Sequence, residues 1–278
     1  MTRRPPALPG WATPGLVLLG VLAMMKTTQE LASLTGLRPT LLFAEAALVA
    51  PALLAALLWG VPAREGIGFE PIDARTLTLA ALGGATLWVT SLGLFETQYA
   101  VWRPPPGYLE AFRRLHDALH PEGAVDVVAS VLAIAIAPAV CEELLFRGLV
   151  LPSLLGLGAA GAVAGSAALF GLIHLDFTPG PSGTVTPSLY RVPFACVIGV
   201  ALAVLRLRTR SLLPGVVAHA VLNTITFVAA PLTDDPTQGL PESRPLFGLS
   251  LLAAGALASA LLFRSLGSQR LTRGADST

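Results

Sequence analysis

Charged residues are absent over 5–25, 46–63, 76–95, 127–141, 148–173, 211–233 and 245–263. A helix crossing a bilayer needs about 20 consecutive, mostly apolar residues, so several of these stretches suffice outright. The run 192–205 is short, yet it extends back through Tyr190 and Ser188 when Arg191 sits at the interface. The carboxylates after 141 lengthen the run 127–141 in the same way. The pattern predicts eight helices, near 12–27, 40–61, 76–98, 124–155, 159–176, 188–207, 211–230 and 246–264. Such a chain is all-α, a polytopic membrane protein with a single membrane domain over 1–278 and a polar site inside it.

Composition supports the class. Of the 278 residues, 54% are hydrophobic and 13% charged, and the mean hydropathy is +0.70. Globular chains carry about 25% charged residues, so this exterior cannot face water alone. A net charge of +1 gives no basic surface for nucleic acid. Cys141 and Cys196 both lie in apolar runs and read as small buried hydrophobes. Arg3 and Arg4 ahead of an apolar run imitate a signal peptide. No A-x-A site precedes Lys26, however, and Pro5, Pro6 and Pro9 spoil the start, so a retained helix is expected. Arginine is in modest excess on the side that holds the N-terminus, which suits an N-terminus inside.

Between the third and fourth spans, Tyr108, Phe112, Leu115 and Leu119 recur at helical spacing opposite Arg113, Arg114 and Asp117, the pattern of an interfacial helix. His116 and His120 within it are four residues apart and could share a metal, but two histidines on a wet face are the simpler reading. After Arg264 no apolar periodicity remains, and a mobile tail is expected over 265–278.

Ionisable groups at membrane depth are costly, so each is a functional candidate. The chain offers Glu45, the run Cys141-Glu142-Glu143-Leu144-Leu145-Phe146-Arg147, His174, His219 and Asn223. Two adjacent acids in low dielectric cannot both ionise cheaply; one must find a cation and the other a proton, a metal or water. Glu143 and Arg147 are four apart with the acid first, the favourable order for a helical ion pair. Glu142 points about 100° away and is left free for chemistry. A buried ion-pair cluster that merely holds helices together would use the same residues.

Depth arithmetic brings the other groups to this level. With a turn at Gly156–Gly158, Glu142 and His174 both lie about 22–26 Å from it and can face each other across antiparallel helices. Gly161 and Gly165 form a small-xxx-small face that permits close approach. Asn223 is one turn beyond His219 on the same face. Pro138, four residues before Glu142, should bend its helix and loosen the backbone there.

The motifs Glu142-Glu143-x-x-x-Arg147, Phe170-x-x-x-His174 and His219-x-x-x-Asn223, in this order on separate apolar helices, resemble the CPBP intramembrane proteases, which include the CAAX prenyl proteases and bacterial Abi-type proteins. The likeness covers about 124–230, including the Arg147-Gly148 step and the stretch FGLIHL. It implies a catalytic core in which Glu142 activates the attacking water and His174 helps to bind or polarise it. His219 and Asn223 would stabilise the oxyanion or complete a metal site, and Arg147, paired with Glu143, would orient the carboxylates. Phe170 reads as a packing or substrate-pocket wall. Such chemistry is sensible, because a desolvated glutamate is a better base than one in water, and donors at a developing oxyanion gain strength in low dielectric.

The resemblance further implies a multi-pass protein of the bacterial inner membrane, among membrane lipids, acting on a hydrophobic or lipid-modified peptide or protein, with a CAAX-like or C-terminal tail. Metal use is left open: Glu142, His174 and His219 offer a zinc set with a fourth position for water, but the H-E-x-x-H spacing is absent. Two other classes compete with an endopeptidase. One is a noncatalytic membrane binding or immunity protein of the same fold. The other is a proton-coupled carrier, which would need paired broken helices in two halves that the sequence does not show.

Overall fold

The computed structural model describes residues 7–105, 108–179, 185–229 and 244–273, and helix dominates them. Helices α1 (Thr13–Thr35) and α2 (Leu37–Leu58) form an antiparallel pair joined at Gly36, whose φ of +78° favours glycine. A π turn, Ala63–Ile67, leads to α3 (Ala74–Val101), whose N-cap Asp73 accepts a bond from the Thr76 N–H at 2.8 Å. The amphipathic stretch forms α4 (Tyr108–Ala118), as its spacing predicts.

One long helical run follows: α5 (Ala124–Val131), a π turn Leu132–Ile136, α6 (Ala137–Glu143), a second π turn Leu144–Val150, α7 (Leu151–Leu154) and a 3₁₀ turn Leu155–Leu157. Pro138 sits at the start of α6, just after the first π turn. A proline breaks the α-ladder by removing a donor and crowding the preceding turn, and the widened turn accommodates it without ending the helix. Helix α8 (Gly158–Leu172) starts at Gly158, φ +81°, where the chain reverses. Strands β1 (Asp176–Pro179) and β2 (Val185–Ser188) pair antiparallel, and α9 (Val192–Thr209), α10 (Leu213–Ala229) and α11 (Pro245–Arg273) complete the described chain.

Six helices are long and apolar enough to cross a membrane when Ala124–Leu172 counts as one. The expected eight are reached only by counting that run on each side of Gly158 and adding α10, which is apolar but 17 residues long. The protein is thus a polytopic all-α membrane protein.

Three expectations need correction. The fifth helix ends at Leu172 instead of near 176 and the sixth starts at Val192 instead of 188, because a hairpin occupies the interval. The first helix runs on to Thr35, well past 27. The last continues to Arg273, so the expected tail is helical there; Leu266, 8% exposed, joins Leu87, Leu202 and Phe263 in one core cluster and carries the helix past Arg264. Residues 274–278 lie outside the described residues.

Packing centres on the long run. Helix α2 lies along α6 and both flanking π turns, α10 along α6 and α3, α8 along α9, and α11 along α3. Leu48, Leu145, Phe146, Leu149, Phe170 and Leu212 belong to the main core. Helix α4 lies across the ends of three others: Tyr108 meets Tyr190 ahead of α9, His116 meets Phe227 of α10, and the Leu119 carbonyl just beyond α4 accepts from Ser130 of α5. His116 is therefore not on a free wet face; its Nε2 lies 3.3 Å from the Phe227 carbonyl. His120 is exposed as expected.

Candidate active site

The acidic pair sits at the end of α6, where the helix widens into the π turn. Arg147 and Glu143 are both fully buried, with Nη1 and Oε1 2.8 Å apart. The guanidinium is held from two further sides: Nη2 donates to the Gly199 carbonyl of α9 at 3.2 Å, and the Phe170 ring centroid of α8 lies 4.4 Å away. The ion pair therefore ties three helices together.

Glu143 does more than pair with Arg147. His219 of α10 places Nδ1 3.2 Å from Glu143 Oε1, while its Nε2 faces Glu142 Oε2 at 3.8 Å. The imidazole is 4% exposed and stands between the two acids. Close approach is possible because Gly215, one turn earlier on α10, has no side chain; a Cβ there would lie 2.6 Å from Glu143 Oε2. Glu142 is 7% exposed and its Oε2 has no hydrogen-bond partner among the described residues.

His174 does not lie within a helix, as the spacing suggested. It occupies the turn that follows α8, where its N–H bonds the Gly171 carbonyl at 3.0 Å. Its Nδ1 lies 2.8 Å from the Phe170 carbonyl, a contact that places the ring proton on Nδ1 and leaves Nε2 as an acceptor. Phe170 joins the parts: its ring centroid is 4.8 Å from that of His174, 6.0 Å from His219 and 5.2 Å from Phe146. The expected wall residue is thus the shared aromatic floor of both histidines and Arg147. Asn223 is half-buried on α10, one turn past His219.

Residues 124–225 match the family described as type II CAAX prenyl endopeptidase Rce1-like. The matched stretch supports CPBP-family membership. It contains Glu142, Glu143, Arg147, Phe170, His174, His219 and Asn223, whereas α1, α2, α3 and α11 lie outside it. No curated protein and no solved structure matches the chain. A match to this family suggests CAAX-type intramembrane protease activity in general.

Zinc needs three protein donors converging at about 2.0–2.3 Å on one point. Among the described residues no group of three or more His, Cys, Asp or Glu is gathered for a metal ion, so the expected set of Glu142, His174 and His219 does not fit one in this arrangement. Cys141 and Cys196 are free thiols.

One anchoring residue escaped sequence reasoning. Tyr190, 2% exposed, closes the hairpin that follows His174; its carbonyl accepts from Gln98 Nε2 at 2.7 Å, and Trp102 and Tyr108 meet it edge-on at 5.6 and 5.1 Å. The aromatic residues of 95–108 were its signal, and helix periodicity hid them as ordinary core.

Proposed function

We propose that the protein is an intramembrane endopeptidase whose water is activated by Glu142 without a required metal, and that it acts on a hydrophobic or lipid-modified peptide of CAAX-like or C-terminal-tail type. The observation that carries this reading is the placement of His219 between the two glutamates, one fixed by Arg147 and the other with an unsatisfied oxygen.

Water bound at Glu142 Oε2 and His174 Nε2 loses a proton to Glu142 as its oxygen attacks the scissile carbonyl. The Asn223 amide donates to the oxyanion, where a preorganised donor in a water-poor site is worth several kcal/mol. Because Nδ1 of His219 is engaged by Glu143, its Nε2 is turned to Glu142. This favours proton transfer over oxyanion donation for His219: the proton taken by Glu142 passes to the leaving nitrogen by way of Nε2 as the C–N bond breaks. Glu143 and Arg147 hold the imidazole in register and do not react.

Detergent-purified protein incubated with a farnesylated CAAX peptide and with an unmodified hydrophobic peptide tests the reading. Cleavage of at least one, reduced by orders of magnitude in Glu142→Gln at parental yield, is expected. Binding of either peptide without cleavage would turn the assignment towards a noncatalytic member of the fold.

A further inference from the structure

The third acid singled out at membrane depth lies outside the cluster above. Glu45 is in the first half of α2, one turn before Val49 and two before Ala52, which are 5% and 1% exposed. Both belong to the core against which Cys141 and Leu144 pack, so this face of α2 is turned towards α6. Glu45 also lies within electrostatic reach of both Cys141 and Glu142. Its Oε2 is buried and has no hydrogen-bond partner among the described residues.

Among the described residues of α1, α2 and the helical run packed on α2, each cation is engaged by another acid. On α1, Lys26 and Glu30 are exposed and face each other at 3.9 Å. Beyond α6, Arg147 is engaged by Glu143. At the start of α2 itself, Arg38 is taken by Asp126 at 3.5 Å and by Ser130. An acceptor left unpaired in low dielectric costs free energy unless something else brings it a donor. A peptide drawn into a membrane site has the complementary deficit: exposing one carbonyl to attack means unwinding the backbone, and the freed N–H groups have lost water.

Building on the peptidase reading above, we propose that Glu45 is a substrate-binding residue, whose Oε2 accepts one main-chain N–H of the peptide beside its scissile bond. Glu45 would thereby hold the segment on the α2 side of Glu142 with its carbonyl presented to the water. The role belongs to α2, outside the stretch that matches the CPBP core.

The test uses the full chain and a farnesylated CAAX peptide, together with analogues in which one backbone amide at a time is replaced by an ester, which has no N–H. Glu45→Met keeps the length of the side chain and removes the acceptor; Glu45→Gln keeps an acceptor oxygen. A hydrogen bond to a charged group implies a KM increase of about 10- to 100-fold in Glu45→Met, with kcat changed far less. Glu45→Gln should recover most of the loss. One ester position should penalise the parent by a similar factor and leave Glu45→Met unaffected, the signature of a direct pair in a double-mutant cycle. A merely structural acid would shift yield or thermal stability and leave this coupling at zero.

Parental KM in Glu45→Met, or equal ester penalties in both proteins at every position, would overturn the proposal while the peptidase reading stands. A parent that cleaves no peptide would sink both. Should Glu45→Met fail to fold, the same ester series on Glu45→Ala decides the coupling.

Discussion

His219 and Glu143 are joined across two helices, Nδ1 to Oε1 at 3.2 Å, and the same ring links the ion pair to Glu142. Glu143 belongs to α6 and pairs with Arg147 within its own helical run; through His219 it also fixes α10. Losing either partner therefore has consequences for both stability and chemistry.

Arg147→Ala leaves Glu143 buried at 0% exposure without its cation. Breaking a buried pair by removing one partner costs about 3–5 kcal/mol. The substitution also empties the space over the Phe170 ring and frees the Gly199 carbonyl. Lower yield, a lower midpoint of thermal unfolding in detergent and lost cleavage are expected together. An Arg147→Ala protein as abundant and heat-stable as the parent would refute the ion-pair role.

Gly215→Ala tests the spacing between α10 and α6 on which the His219 contact depends. In an ordinary helix interior, alanine is favoured over glycine by about 1 kcal/mol. Here the added methyl would lie 2.6 Å from Glu143 Oε2, so the carboxylate or α10 must shift. We expect yield close to the parent's and a fall in kcat of ten-fold or more, about 1.4 kcal/mol on the barrier. A variant with unchanged or improved kcat would show that the spacing of α10 and α6 is not critical to the chemistry.

Most of the acid and histidine cluster was legible because charge inside an apolar run is rare and costly, so Glu142, Glu143, Arg147 and His219 announce themselves by position alone. The same-helix pairing rule found Glu143 with Arg147 correctly, but it cannot see a partner on another helix and missed that Glu143 also holds His219. Apolar periodicity runs on through Leu175 and so predicts His174 on a helix. The competing signal was present: Phe177, Thr178, Val185 and Thr186 favour strands, with Gly180, Pro181, Ser182 and Gly183 between them as turn formers. Apart from Pro138, the π turns around α6 leave little trace in the pattern, since one extra residue per turn shifts one mostly apolar surface onto another.

The histidines separate glutamate chemistry from zinc chemistry. In the metal-free reading, cleavage should persist after prolonged chelator treatment, and elemental analysis of the active parent should find no stoichiometric zinc. His174→Ala removes the acceptor that orients water, and His219→Ala removes the carrier that passes the proton from Glu142 to the leaving nitrogen; each should slow cleavage by about 10²–10³ with no change in bound metal. Zinc held by Glu142, His174 and His219 predicts a different correlation. Each substitution would then remove one of three protein ligands, so metal content and activity would fall together, and chelator would abolish cleavage that added zinc restores. Full activity in His219→Ala would contradict both chemistries, because each gives His219 a necessary part in the reaction.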